Sequence, residues 1–219
     1  MKIESIDADS YSLSEFEFQP LSGRRYVVFD LEATGPDSTT DSVTQIGAVA
    51  LYDDGPRDEE SFRCLVRPRK PIPTKIEALT GLTNELVATA SDFAAAWPAF
   101  VEYCRDSALV TQGGYEFDFD LLDRECARVA VPTLAHPRLD TKAIFALTHR
   151  EQYDTFSTNF LSDYYGVDRS AFKRHDALGD AKLISRFFYA QMQEAKARMK
   201  DGWFAQAPLR IKRFVLPPL

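Results

Sequence analysis

A chain of 219 residues, 45% hydrophobic and 27% charged, has enough apolar material for one sizeable core, which excludes disorder throughout and removes any need for disulfides. Its three cysteines, Cys64, Cys104 and Cys126, are odd in number and widely spaced, so they suggest neither a disulfide framework nor a zinc motif and read as small buried apolar residues. A net charge of −7 excludes a generally basic nucleic-acid surface; a polyanionic substrate has to be held locally, by "RPRKPIPTK" (Arg67 to Lys75), by Lys173 with Arg174, by the tail "RIKRF", or by bound divalent cations.

The first residues form no apolar leader, and no stretch approaches the roughly 18–20 apolar residues of a membrane span, so the expectation is a cytoplasmic protein with no membrane association. Residues 1–24 are polar and acidic and read as an extension in which "FEFQP" is the one stretch suited to pairing or docking. Three strands follow, "RYVVFDLE", "VTQIGAVALY" and "ESFRCLVRP". The connections "ATGPDSTTDS" and "DDGPRDE" are rich in turn formers, and their shortness predicts an antiparallel meander. Short helical pieces around Gly81 lead to a helix from about Asp92, with Phe93, Ala96, Phe100 and Cys104 on one stripe. The strand "SALVTQ" precedes "GG" and a helix in which Phe117, Leu121, Leu122, Cys126 and Val129 recur at helical spacing. A short strand and helix in "HPRLDTKAIFALT", a helix in "TFSTNFLSDYYG" and a long final helix from "DALGDA" complete the pattern. A meander followed by alternating helices and strands predicts a mixed sheet flanked by helices. The tail 201–219, apolar and proline-bearing, is expected to dock on its own domain or on a partner.

Asp30 and Glu32 close an apolar strand and, two residues apart, project from one face. An Asp-x-Glu pair near a strand end is commonplace, and a single acid on an apolar face is ordinarily a helix cap or half of an ion pair. Asp118, however, lies three and four residues before Leu121 and Leu122, and Asp180 lies four before Ile184 and seven before Phe187, so both share stripes that face the core. Asp120 and Asp123 read as ordinary surface acids. No basic residue has the spacing to neutralise all four core-facing acids, whereas hard divalent cations take such oxygen ligands, which points to Mg²⁺ or Mn²⁺. Two ions about 4 Å apart would suit in-line displacement at phosphorus. His175, five residues before Asp180 in "HDALGD", is a candidate general base for a metal-bound water; His136 and His149 have no such neighbour.

With Asp30, Glu32, Asp118, His175 and Asp180 in this order, the chain resembles the DEDDh class of 3'-to-5' exonucleases, a family that includes proofreading subunits of bacterial replicative polymerases. "FDLEATG", "GGYEFDFDLL" and "HDALGDA" look like its three motifs, and "QIGAVAL", "LVRPRKPIP", "ALTGLTNELV", "LDTKAIF" and "FLSDYYGV" like its intervening segments, over about residues 25–193. The resemblance implies a ribonuclease-H-like α/β fold, a mixed five-stranded sheet flanked by helices, in a single exonuclease domain at 25–200 between the extension 1–24 and the tail 201–219. It further implies that Asp30, Glu32, Asp118 and Asp180 gather two Mg²⁺ or Mn²⁺ ions while His175 deprotonates the attacking water. The substrate would be the 3' end of single-stranded DNA or RNA and the product a nucleoside 5'-monophosphate. Thr34 with the backbone after it, and Leu82, would line the pocket for the terminal nucleotide, with Glu32 also touching its 3'-hydroxyl. One departure stands out: many relatives carry His-Asn-Gly-Tyr before the second motif, where this chain has Gln112 and Gly113 in place of His and Asn.

Other readings fit less well. A haloacid-dehalogenase-type hydrolase needs Asp-x-Asp after its first strand, and a glycosidase has no use for four acids and a histidine on separate elements. A catalytically silent nucleic-acid-binding or scaffold module with this fold would be free to lose any of the five groups, and all are present.

Overall fold

The computed structural model describes residues 2–15, 17–18, 23–198, 203–204 and 208–214. In chain order the elements are β1 (Lys2–Ser5), β2 (Ser10–Ser14), β3 (Glu17–Phe18), β4 (Arg25–Ala33), β5 (Val43–Tyr52), β6 (Gly55–Leu65), α1 (Thr74–Thr80), α2 (Asn84–Ala88) and α3 (Phe93–Tyr103). They continue with β7 (Ser107–Thr111), α4 (Asp118–Arg128), β8 (Arg138–Asp140), α5 (Thr141–Thr148), α6 (Thr158–Tyr164), α7 (Ala177–Arg198), β9 (Trp203–Phe204) and β10 (Leu209–Lys212).

β4, β5 and β6 pair antiparallel, as their short turns require, and β7 and β8 add in parallel on the other side of β4. The order β6-β5-β4-β7-β8 is the expected mixed five-stranded sheet of a ribonuclease-H-like fold. β4 is central and covered on both faces, which is why it reads as an unbroken apolar run rather than an alternating one. Its alternate residues still go to different layers. Tyr26 and Val28 join Val49, Leu51, Val110 and the apolar sides of α5, α6 and α7, while Val27, Phe29, Leu31 and Ala33 join α3 and α4.

Several boundaries differ from the sequence reading. β6 begins at Gly55, before "ESFRCLVRP". The helix expected from about Asp92 runs from Phe93, with the Asp92 carboxylate capping it through the Ala95 N–H, and it also buries Trp97. Cys104 and Cys126 are buried as expected, whereas Cys64 is only partly covered.

The extension and the tail meet each other. β1, β2 and β10 form a three-stranded antiparallel sheet, and Tyr11, Leu13, Leu209 and Ile211 are buried in the same core as α5 and α7. Within "FEFQP" only Glu17 and Phe18 are among the described residues, as β3 paired with β9; Phe16, Gln19 and Pro20 lie outside them, as do Pro217 and Pro218 of the tail. Among the described residues no helix is long and apolar enough to cross a membrane.

Candidate active site

The site lies at the carboxyl ends of β4 and β7, where open α/β sheets place their ligands. The parallel pairing of the two strands ends at Val28 with Val110, so β4 continues past its neighbour and carries Asp30 and Glu32 into the gap. Both acids fall on the α7 face of the strand, in phase with Tyr26 and Val28.

A close approach of backbones brings Asp180 to them. Gly47, opposite Asp30 on β5, lies under the start of α7 so tightly that a Cβ there would stand 2.1 Å from the Ala177 carbonyl carbon. Gln45 Oε1, opposite Glu32, accepts from the Ala177 N–H at 2.8 Å, and Asp176 Oδ1 accepts from the Gly179 N–H at 3.1 Å, which fixes the first turn. One carboxylate oxygen each from Asp30, Glu32 and Asp180 then lies within 4.8 Å of the others.

Asp118 arrives from the opposite layer. It opens α4 behind the loop 112–117, its Oδ2 accepts from the Thr111 hydroxyl at 3.2 Å, and its carboxylate is not part of the close trio, although its charge acts on Asp30 and Glu32. His175 sits exposed at the rim in the left-handed region (φ 54°), and its backbone N–H donates to Asp180 Oδ2 at 2.7 Å.

Crowding four acids away from water favours their neutral forms. Asp30 is held well above the usual carboxylate range, first by burial and then by Asp180, Asp118 and Glu32. Burial, with Asp180 and Asp118 behind it, pushes Glu32 up to about 8. Burial also lifts Asp118 to about 7, against the Thr111 hydrogen bond, and raises Asp180 against the pull of Arg174. Buried Asp180 Oδ1 has an ion-pair contact with Arg174 but no well-aligned hydrogen bond. Hard oxygen donors that repel one another and converge on one point are the donor set of a divalent cation.

Arg174 is the group that sequence reasoning missed here. Its Nε stands 3.0 Å from Asp180 Oδ1, so one basic residue does partly balance the cluster, and it was legible only as a local positive charge beside His175. The other basic runs are largely spoken for: Lys70 pairs with Asp41 at 2.5 Å, Arg69 with Glu125 at 3.7 Å, Arg67 with Asp92 at 3.7 Å and Lys173 with Asp176 at 3.6 Å.

Of the two pocket residues, Thr34 is buried with its hydroxyl donating to Asp41 Oδ1 at 2.8 Å and accepting from the Ser42 N–H at 3.1 Å, so it ties the loop after β4 together. Leu82 is buried with Ile72, Ile76 and Val87, and Leu65 packs on this small cluster. Glu32, Gln45 and Leu65 are successive neighbours across β4, β5 and β6, so the Leu82 cluster sits at the same end of the sheet as Glu32.

The sequence model of the RNase_T exonuclease family matches residues 27–188, which takes in every one of these acids. The chain belongs to this exonuclease family. The exonuclease domain is 31% identical over 180 residues to a DNA polymerase III subunit epsilon-like protein of Rhodobacter capsulatus, covering 82% of this chain and 25% of that protein. It is 31% identical over 172 residues to a PolC-type DNA polymerase III of Clostridium perfringens, covering 77% of this chain and 11% of that protein. The chain thus spans a quarter or less of the curated relatives it matches. In fold it is similar to the nuclease domain of 3'hExo, a DEDDh family member solved with rAMP, with TM-score 0.70 at 18% identity over 80% of this chain and 95% of that one. E. coli exonuclease I in complex with a dT13 oligonucleotide gives TM-score 0.67 at 14% identity over 81% of this chain and 43% of that one.

Proposed function

We propose that the domain removes nucleoside 5'-monophosphates from the 3' end of single-stranded nucleic acid. Asp30, Glu32, Asp118 and Asp180 would hold two divalent ions, Mg²⁺ or Mn²⁺, with His175 as general base. The observation that carries this reading is the trio Asp30, Glu32 and Asp180 within 4.8 Å, with Asp118 behind it, in an exonuclease-family chain. Bound divalent ions would supply an activated water and charge stabilisation for the leaving oxygen. The chain's own residues do the rest. β4, pinned on both sides, keeps Asp30 and Glu32 at fixed separation, and the Gly47 approach holds Asp180 against them. The His175 imidazole, at the solvent rim one residue after Arg174, accepts the water's proton and passes it to solvent. The loop at Thr34 and the Leu82 cluster flank the same end of the sheet and form the walls for the terminal nucleotide, within reach of Glu32.

The polymerase III names of the relatives favour a cytoplasmic role beside a polymerase. A protein partner is then expected on a surface other than the described tail residues 208–214, because Leu209 and Ile211 pack on this domain.

Purified protein should shorten an oligonucleotide with a free 3' end in Mg²⁺ or Mn²⁺, and stop with EDTA or a 3' block. Degradation that ignores chelation, or that starts equally well from a blocked end, would sink the reading. Asp30→Asn keeps the volume and removes a ligand charge, so it should abolish turnover while circular dichroism stays unchanged.

A further inference from the structure

The loop 112–117 delivers Asp118, and three anchors hold it. Gln112 Nε2 donates to the Phe156 carbonyl at 2.7 Å, and its side-chain oxygen accepts from the Thr141 hydroxyl. The Asp140 carboxylate accepts from the Gly113 N–H at 3.0 Å and the Tyr115 N–H at 3.1 Å. The third anchor comes from the far end of the chain. The Phe214 N–H donates to Glu116 Oε2 at 2.7 Å, Glu116 Oε1 pairs with Lys142 Nζ at 2.5 Å, and Lys142 Nζ stands 3.8 Å from the centre of the Phe214 ring.

Lys142 has 0% side-chain exposure, so its ammonium group has exchanged water for one carboxylate and one ring face. Loss of either would leave a buried charge short of partners. The ring also lies against Gly113, in the left-handed region at φ +72°, where a Cβ would stand 2.4 Å from the ring edge. Gly113 is therefore the seat of Phe214.

We propose that Phe214 is a positioning residue for Asp118: seated on Gly113 and Lys142, its ring clamps the 112–117 loop and sets where the Asp118 carboxylate stands relative to Asp30 and Glu32. The inference rests on the exonuclease reading above. Phe214 touches no reacting atom and acts through Gly113, Glu116 and Lys142. Seating the ring requires an open Gly113 surface, so the two positions are coupled: a side chain at 113 and a ring at 214 exclude each other.

The test is a double-mutant cycle in the full chain with Phe214→Ala, Gly113→Asn and both together. It reads kcat and KM on a single-stranded oligonucleotide, Mn²⁺ affinity by calorimetry, and hydrogen exchange at the amides of 113–119. Phe214→Ala should lower kcat about 10- to 100-fold with KM within about twofold, since a displacement near 1 Å at a reacting centre costs that much. It should also weaken Mn²⁺ binding and speed exchange in the loop while β4, β5 and α7 stay protected. Gly113→Asn should reproduce these effects, and the double variant should be no worse than either single one. Phe214→Tyr, which keeps the ring, should restore wild-type behaviour. Multiplicative losses in the double variant, unchanged loop exchange in Phe214→Ala, or faster exchange spread over the whole sheet would each overturn the positioning role. A wild-type chain with no nuclease activity would instead remove the exonuclease reading, and the exchange and Mn²⁺ arms would still decide the clamp.

Discussion

Glu32 and Asp118 stand near 8 and 7 in the folded protein against 4.5 and 3.8 for the free groups, so folding without metal binds protons. The sign follows from that difference. A carboxyl whose folded value is raised adds stability that is complete below about pH 4 and is lost as pH climbs through its folded value. In EDTA the melting temperature should therefore fall between about pH 4 and pH 8, and saturating Mn²⁺ should remove most of the slope; a flat profile in EDTA would show that the acids do not crowd. Arg174, 3.0 Å from Asp180, partly offsets this repulsion. Arg174→Gln should lower the EDTA melting temperature by about 2–4 °C, for roughly 1 kcal/mol, and by less when Mn²⁺ is bound, as scanning calorimetry would read. At this scale the acids were legible because a carboxylate on an apolar stripe is expensive and visible. Gln45 was not, since its partner Ala177 is 132 residues away; Arg174 was not, since the irregular turn before α7, rather than any regular helical spacing, brings it onto Asp180.

Among elements, β5 and α7 decide the geometry of the site through one missing side chain. Gly47→Ala would drive a methyl into the Ala177 backbone, lift α7 from the sheet and move Asp180 away from Asp30. The expected cost is about 1–3 kcal/mol of stability by urea titration, with a larger fractional loss of Mn²⁺ affinity, because the backbone cannot yield as a side-chain tip can. Equal Mn²⁺ affinity in a folded Gly47→Ala protein would refute this placement. Strand and helix identities were readable because β4 and β5 are short apolar runs bounded by turn formers, while the final helix repeats apolar residues at helical spacing. Where β6 begins was not, since its first residues are polar and their pairing with β5, not their chemistry, makes them a strand.

For the whole molecule, a mixed sheet flanked by helices followed from the chain's sequence of meander and alternation, whereas the strand order came only with the fold. The joining of the two ends did not, because no local pattern announces that Leu13 will lie beside Leu209. Leu13 is fully buried with α5 and α7, so Leu13→Ala should cost about 2–5 kcal/mol although it lies outside the five-stranded sheet. A change under about 0.5 kcal/mol in denaturant unfolding would make that small sheet an ornament rather than part of the core.

The pairing of β2 with β10 also sets an order in time. On the ribosome, Tyr11 and Leu13 emerge well before the strand that covers them, with Leu209 and Ile211. A nascent chain halted before residue 209 therefore carries all four acids but has an uncovered apolar edge and no Phe214 beside the loop that leads to Asp118. The acid cluster has its full surroundings only once this segment has been made.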